Sequence, residues 1–195
     1  MNYLGHAMLS LGRPGILAGN MIGDYVKGLA VLDTFPEEIK KGIVLHRKID
    51  AYADNHPASL RARNLFRPDY RLYSGAFVDS LYDHFLANDP HYFPDHDALK
   101  KFTTTVYSTL DEYETVLPEK FLRMFGYMRK EDWLYSYRTM KGMEVAFERL
   151  VHRARYMDNS ERAYHIFVAH YYELNQWYFE LIDDMVRFVK NELSN

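Results

Sequence analysis

Apolar residues recur every three or four positions along most of this chain, and strand-like alternation is scarce. The segment "DTFPEEIKKGIVLHRKIDAYADNHP" predicts a helix from Pro36 to Asp54. Thr34 is placed to cap it, Pro36, Glu37 and Glu38 suit its first turn, and Pro57 stops it. A second helix is expected from Leu72 to Asn88, ending before "DPHYFP". A third opens at "PDHDALKKF" and extends toward Pro118. After Gly142 the chain holds neither Gly nor Pro, which predicts two helices broken near "YMDNSER", with Asn159 or Ser160 capping the final one. No repeat, low-complexity tract or linker interrupts the pattern. Residues 1–195 therefore read as one all-α domain of roughly seven to nine helices.

Some polar residues break the pattern from inside. At 100° per residue, His46 and Asp50 fall within about 20° of Ile39, in the middle of the apolar arc made with Gly42, Ile43 and Ala53. Lys40, Lys41 and Lys48 fall on the opposite, wet side. Burying a carboxylate is costly unless a cation compensates it, so the pair is either a buried His–Asp hydrogen bond or part of a site. The helix "LYSGAFVDSLYDHFLAN" is apolar nearly all round, which predicts a central position. Asp79 and Asp83 lie one turn apart on it, on one side with Leu72, Ala76 and Leu86, and His84 follows Asp83. Acids that close repel unless something positive lies between them. In "GNMIGDYVKG", Asn20, Asp24 and Lys27 share a face with Leu17, Met21 and Gly28. This is either a glycine-zipped packing helix with an Asp–Lys pair or a ligand-facing stretch. His6, among Leu and Met, reads as a core histidine or as a ligand.

Composition narrows the chemistry. The chain is 48% hydrophobic with 17 Tyr and 12 Phe, ample for a large core. Cys is absent, which removes disulfides, thiol nucleophiles and Cys metal sites, and suits a cytoplasmic location. The net charge of −3 gives no case for nucleic acid, and no run approaches a membrane span. The amino terminus lacks a basic leader. His and Asp gathered from separate helices suit a hard or borderline divalent ion, which makes phosphoester hydrolysis the natural chemistry. P-loop, nucleophile-elbow and H-E-x-x-H motifs are all missing.

Four stretches, "MNYLGH", "GNMIGDYVKG", "GIVLHRKIDAYADNHP" and "FVDSLYDHFLAND", resemble in that order the motifs of the acyl carrier protein phosphodiesterase family. That family is an outlying relative of the HD phosphohydrolases. The resemblance implies a compact HD-like helical domain that hydrolyses the phosphodiester joining 4′-phosphopantetheine to a serine of acyl carrier protein. It also implies a place in fatty acid biosynthesis and lipid metabolism, and Mn²⁺ as the usual metal, with Mg²⁺ or Fe²⁺ as alternatives. Carried onto this sequence, it implies Asp24, His46, Asp50, Asp79 and Asp83 as ligands, with His84 beside them. Lys27 and Arg47 would hold phosphate oxygens, and Asp54 and His56 would support the shell or protonate the leaving serine. The adjacent pair here is Asp83-His84, the reverse of the His-Asp order in ordinary HD enzymes. An HD-type nucleotide hydrolase and a non-catalytic carrier-binding module are the competing readings.

An acidic carrier needs a local basic surface. Arg61, Arg63, Arg67 and Arg71 form one cluster, close after Pro57 and favoured for docking. Arg149, Arg153 and Arg155 form another. His165 and His170, in an aromatic run, belong either to a packed helix or to a wall for the pantetheine or acyl chain.

Overall fold

Prolines and polar caps set most of the helix boundaries. In the computed structural model, which describes residues 1–28, 30–154 and 159–194, the helices are α1 (Tyr3–Met8), α2 (Pro14–Ile22), α3 (Glu37–Asn55), α4 (Pro57–Tyr70), α5 (Ser74–Ala87) and α6 (His96–Glu112). They continue as α7 (Glu119–Lys130), α8 (Trp133–Ser136), α9 (Met140–Arg153), α10 (Glu161–Ala169) and α11 (Tyr171–Ser194). No strand occurs among the described residues, so the all-α expectation holds. None of their helices is long and apolar enough to cross a membrane.

Pro57 stops α3 as expected and also opens α4, where the missing N–H costs nothing. His56, between them, caps α4 by accepting from Ala58 N at 3.2 Å. Asp95 caps α6 and Thr139 caps α9 in the same way. Thr34 does not cap α3: its hydroxyl donates to the Val31 carbonyl at 2.7 Å, and Pro36 precedes the first helical residue. A side chain that can close its own tight turn competes with the cap it was expected to make. Leu72 lies outside α5, in a 3-10 turn entered at Arg71 with φ 47°, and is 95% exposed. The chain after Gly142 forms the rest of α9 and two further helices among the described residues, one more than expected. The α10–α11 break at His170 has neither Gly nor Pro to announce it. Asn159 accepts from Arg162 N at 3.2 Å, as a cap to α10. Arg155 and residues 156–158 of "YMDNSER" lie outside the described residues.

The core forms around α5, which packs against α1, α4, α9 and α11. Phe77, Val78, Leu81, Tyr82, Phe85 and Leu86 of α5 are buried, as expected of a helix apolar on nearly every side. Helices α2 and α3 meet with their backbones in contact. A Cβ on Gly19 would lie 2.0 Å from the Ile39 carbonyl oxygen, and one on Gly42 would lie 2.3 Å from that of Ile16. That approach aligns the Asn20 and His46 positions across the α2–α3 seam and sets up the site.

Candidate metal centre

Three ligand atoms, one each from His6, His46 and Asp50, lie within 4.8 Å of one another. They come from α1 and α3, and α2 fixes their orientation. After Ile22 the α-helix tightens into a 3-10 turn at Gly23–Tyr25. A Cβ on Gly23 would lie 2.2 Å from His46 Cγ, so glycine here makes room for the imidazole. Both imidazoles are buried and stack with centroids 4.0 Å apart.

Asn20, fully buried, holds both rings. Its side-chain nitrogen donates to the His6 carbonyl at 2.8 Å and to Ser10 Oγ at 3.1 Å, which turns its oxygen toward His6 Nδ1 at 2.8 Å. Its backbone carbonyl accepts from His46 Nδ1 at 2.7 Å. Both Nε2 atoms therefore point at Asp50. His6 Nε2 is 3.1 Å from Oδ1, and His46 Nε2 is 3.1 Å from Oδ2. A histidine anchored at Nδ1 by an oxygen, with Nε2 free to face a carboxylate, has the arrangement of a metal ligand.

Protonation sharpens the point. Burial works against a charged His46, but Asp24 and Asp50 outweigh it and hold its pKa at about 9. Burial and the charge of His46 push the His6 pKa down. Burial alone would raise the Asp50 carboxyl, but the two histidines hold it well below the carboxylate range. The Asn20 side chain and backbone carbonyl take up the two Nδ1 atoms, and the two Nε2 atoms converge with the Asp50 carboxylate within 4.8 Å. Two nitrogens and an oxygen of this kind ligate a divalent cation, so these residues fit a metal.

Asp24 and Asp79 complete the rim. Asp24 lies 3.4 Å from His46 Nε2, with its side chain 76% exposed. Asp79 accepts from the Met1 amine at 3.0 Å, and that amine is 3.7 Å from Asp50 Oδ1. The cleft of about 240 Å³ is lined by these residues together with Tyr3, Ser80, Leu150 and Arg153. Arg153 has no carboxylate partner among the described residues.

Other expected site residues lie outside this cleft. Asp83 is fully buried, and its carboxylate accepts from Leu4 N at 2.7 Å and Gly5 N at 2.9 Å, at the start of α1. His84 bridges the Tyr137 carbonyl and the Tyr171 hydroxyl. Arg47 donates to the Val26 carbonyl at 2.8 Å and so braces the strand of backbone after Asp24. Lys27 is exposed and does not line the cleft. His56 faces Asp184 at 3.3 Å in a separate cleft beside Tyr52 and Phe188. His165 is exposed, and His170 lies 3.5 Å from Glu173; neither lines the site.

Asp54 pairs with Arg63, and both line a neighbouring cleft of about 370 Å³ with Arg67, Arg71, Leu60 and Leu72. That cleft shares Ala76 and Asp79 with the metal centre. Arg61 turns away to Glu180 and Trp177. Arg149 pairs with Glu131 at 2.6 Å and covers Trp133. The sequence pattern leaves His6 open between core and ligand and gives no sign of Ser10 or of the place of Arg153 in the cleft lining. The motif "MNYLGH" was the signal for His6, but α1 alone has no face that marks His6 as functional.

A family model described as acyl carrier protein phosphodiesterase matches residues 1–185. Among curated proteins, acyl carrier protein phosphodiesterases of Escherichia coli O45:K1 and O127:H6 are each 29% identical over 189 residues, 95% of this chain and 96% of theirs. One from Salmonella paratyphi A is 28% identical over 181 residues, 92% of this chain and 93% of its own. No solved structure matches.

Proposed function

From the premise that the chain belongs to the acyl carrier protein phosphodiesterase family, we propose that it removes the 4′-phosphopantetheine group from holo-acyl carrier protein at a divalent metal held by His6, His46 and Asp50. The observation that carries the metal is the convergence of one ligand atom each from His6, His46 and Asp50 within 4.8 Å. Asp24 and Asp79, on the rim of the same cleft, are the further carboxylates of the site. Mn²⁺ suits a set of two imidazoles and carboxylates, with Mg²⁺ or Fe²⁺ as alternatives. A bound divalent ion supplies polarisation of a phosphoryl oxygen and of an attacking water.

The chain's own residues supply the rest. Asn20 keeps both histidines in the tautomer that presents Nε2. Asp24, on the exposed rim 3.4 Å from His46 Nε2, is the carboxylate assigned to take a proton from water. In the reaction, the water oxygen bonds to phosphorus, the bond from phosphorus to the serine oxygen breaks, and that oxygen gains a proton. The products are apo-carrier and 4′-phosphopantetheine. Arg67 and Arg71, free of carboxylate partners among the described residues, adjoin the site through Asp79 and suit an acidic carrier. The exposed Leu72 beside them offers an apolar contact.

The test is to incubate the purified protein with holo-carrier and Mn²⁺. Mass spectrometry should show the carrier losing the mass of phosphopantetheine. Chelation should abolish the loss, and Mn²⁺ should restore it better than Ca²⁺ does, because a compact ion polarises water more strongly. An unchanged carrier with every divalent ion tried would overturn the proposal.

A further inference from the structure

The metal cleft is too small for the whole substrate. At about 240 Å³ it takes a phosphoryl group and little more, since pockets that enclose a small organic molecule run from about 300 to 1,000 Å³. The phosphodiester has a protein on one side and a flexible, uncharged, amide-bearing arm on the other. Each must leave the cleft by a mouth, and two larger clefts share its lining. The one at Asp79 holds about 370 Å³ and is fringed by Arg67, Arg71 and Leu72. The other lies between α7 and α9, holds about 830 Å³, and meets the metal cleft at Arg153.

The α7–α9 groove has the chemistry of a binding site for a chain of mixed polarity. Met124 and Tyr127 give aliphatic and aromatic surface, and the Arg149 guanidinium sits over the buried Trp133 ring, 4.3 Å from its centroid. His152 and Arg153 carry donors along the same wall. Tyr127 is 63% exposed and lines the groove. Apolar surface of this kind buries methylenes, while the donors match amide oxygens. Arg153, which lines both clefts, has no carboxylate partner among the described residues.

We propose that the α7–α9 groove holds the pantetheine arm of the substrate, together with the start of any acyl chain on it, while the carrier protein sits over the Asp79 mouth. The inference rests on the phosphodiesterase reading and gives it a direction. The arm lies toward Arg153, and the serine oxygen leaves toward Asp79 and Arg67. Volume decides between the mouths: the larger, aromatic groove takes the arm, and the smaller, basic cleft receives only the edge of a protein surface.

The experiment uses the metal-loaded protein, free 4′-phosphopantetheine as the binding probe, and two substrates: holo-carrier and a methyl diester of 4′-phosphopantetheine. Tyr127→Ala and a Met124→Ala/Tyr127→Ala double variant remove an exposed ring and a half-buried side chain at the edge of the core, and thermal melting checks the fold. The double variant should bind 4′-phosphopantetheine about tenfold more weakly by calorimetry. Its KM for the methyl diester should rise by a similar factor with kcat little changed. Arg67→Glu should raise KM for holo-carrier by a larger factor than KM for the methyl diester. Wild-type affinity for 4′-phosphopantetheine and wild-type KM for the diester in the double variant would overturn the groove assignment while leaving the phosphodiesterase reading intact. A wild-type protein that hydrolyses neither substrate would overturn both.

Discussion

His6 and His84 look alike and do different work. Each is buried on a helix packed into the core, and burial depresses the pKa of each. Each has Nδ1 against an oxygen acceptor, Asn20 Oδ1 for His6 and the Tyr137 carbonyl for His84. The difference is at Nε2. In His84 it meets the Tyr171 hydroxyl at 3.0 Å, a donor for its lone pair, so a neutral ring is fully satisfied. In His6 it converges with His46 Nε2 on the Asp50 carboxylate, at the wall of an open cleft. The two aspartates divide in the same way. Asp83 spends both oxygens on backbone N–H groups, whereas Asp50 turns both oxygens toward imidazoles. The first set is closed within the core, and the second opens on a cleft.

The strongest way to break this comparison is to remove each histidine in turn. His6→Ala, His46→Ala and Asp50→Ala should each lose metal binding by calorimetry and cut carrier hydrolysis by about a thousandfold or more. His84→Ala should bind metal normally and keep turnover within about threefold in the folded protein, while losing about 2–3 kcal/mol of stability. Equal loss of metal binding in His84→Ala would erase the distinction.

Asp83 gives the next largest effect, on stability. Asp83→Ala strands the Leu4 and Gly5 N–H groups in the core and should cost about 3 kcal/mol in denaturant unfolding. Burial raises the Asp83 carboxyl from its ordinary 3.8 to about 7, against the pull of those two N–H groups. The folded state therefore holds a proton that the unfolded chain releases. This contribution to stability is complete below about pH 4 and is lost as pH rises through about 7. Asp83→Asn has no such proton, so its stability should be flatter than wild type across that window. Parallel pH profiles for the two would show that Asp83 does not titrate there.

Asn20→Ala sharpens the comparison at a smaller scale. It removes the anchor of His6 but keeps the backbone carbonyl that holds His46. Metal affinity should fall about 10- to 100-fold, short of the loss in His6→Ala. The smallest effect belongs to the rim. Arg67→Glu should raise the Michaelis constant for carrier several-fold, more at low salt than at high. An unchanged carrier KM at low salt would move docking away from the Asp79 mouth.

Periodicity and proline spacing were enough to determine an all-α chain with His46 and Asp50 in the apolar arc of one helix. Those are local properties, fixed by 3.6 residues per turn and by the cost of hiding charge in an apolar arc. The motif order was enough to point to the family. Sequence pattern did not separate Asp83 from Asp79, or His84 from His6, because each pair has the same local surroundings and differs only in what another helix brings to it. Tertiary packing decided that the Leu4 and Gly5 N–H groups would take up Asp83, that Tyr171 would satisfy His84, and that Gly23 would clear space for His46. It also decided that Arg153, more than a hundred residues beyond His46, would stand at the junction of two clefts. Hydrogen bonds reach only about 3 Å, so whether a buried polar atom is satisfied depends on neighbours that chain order alone does not name.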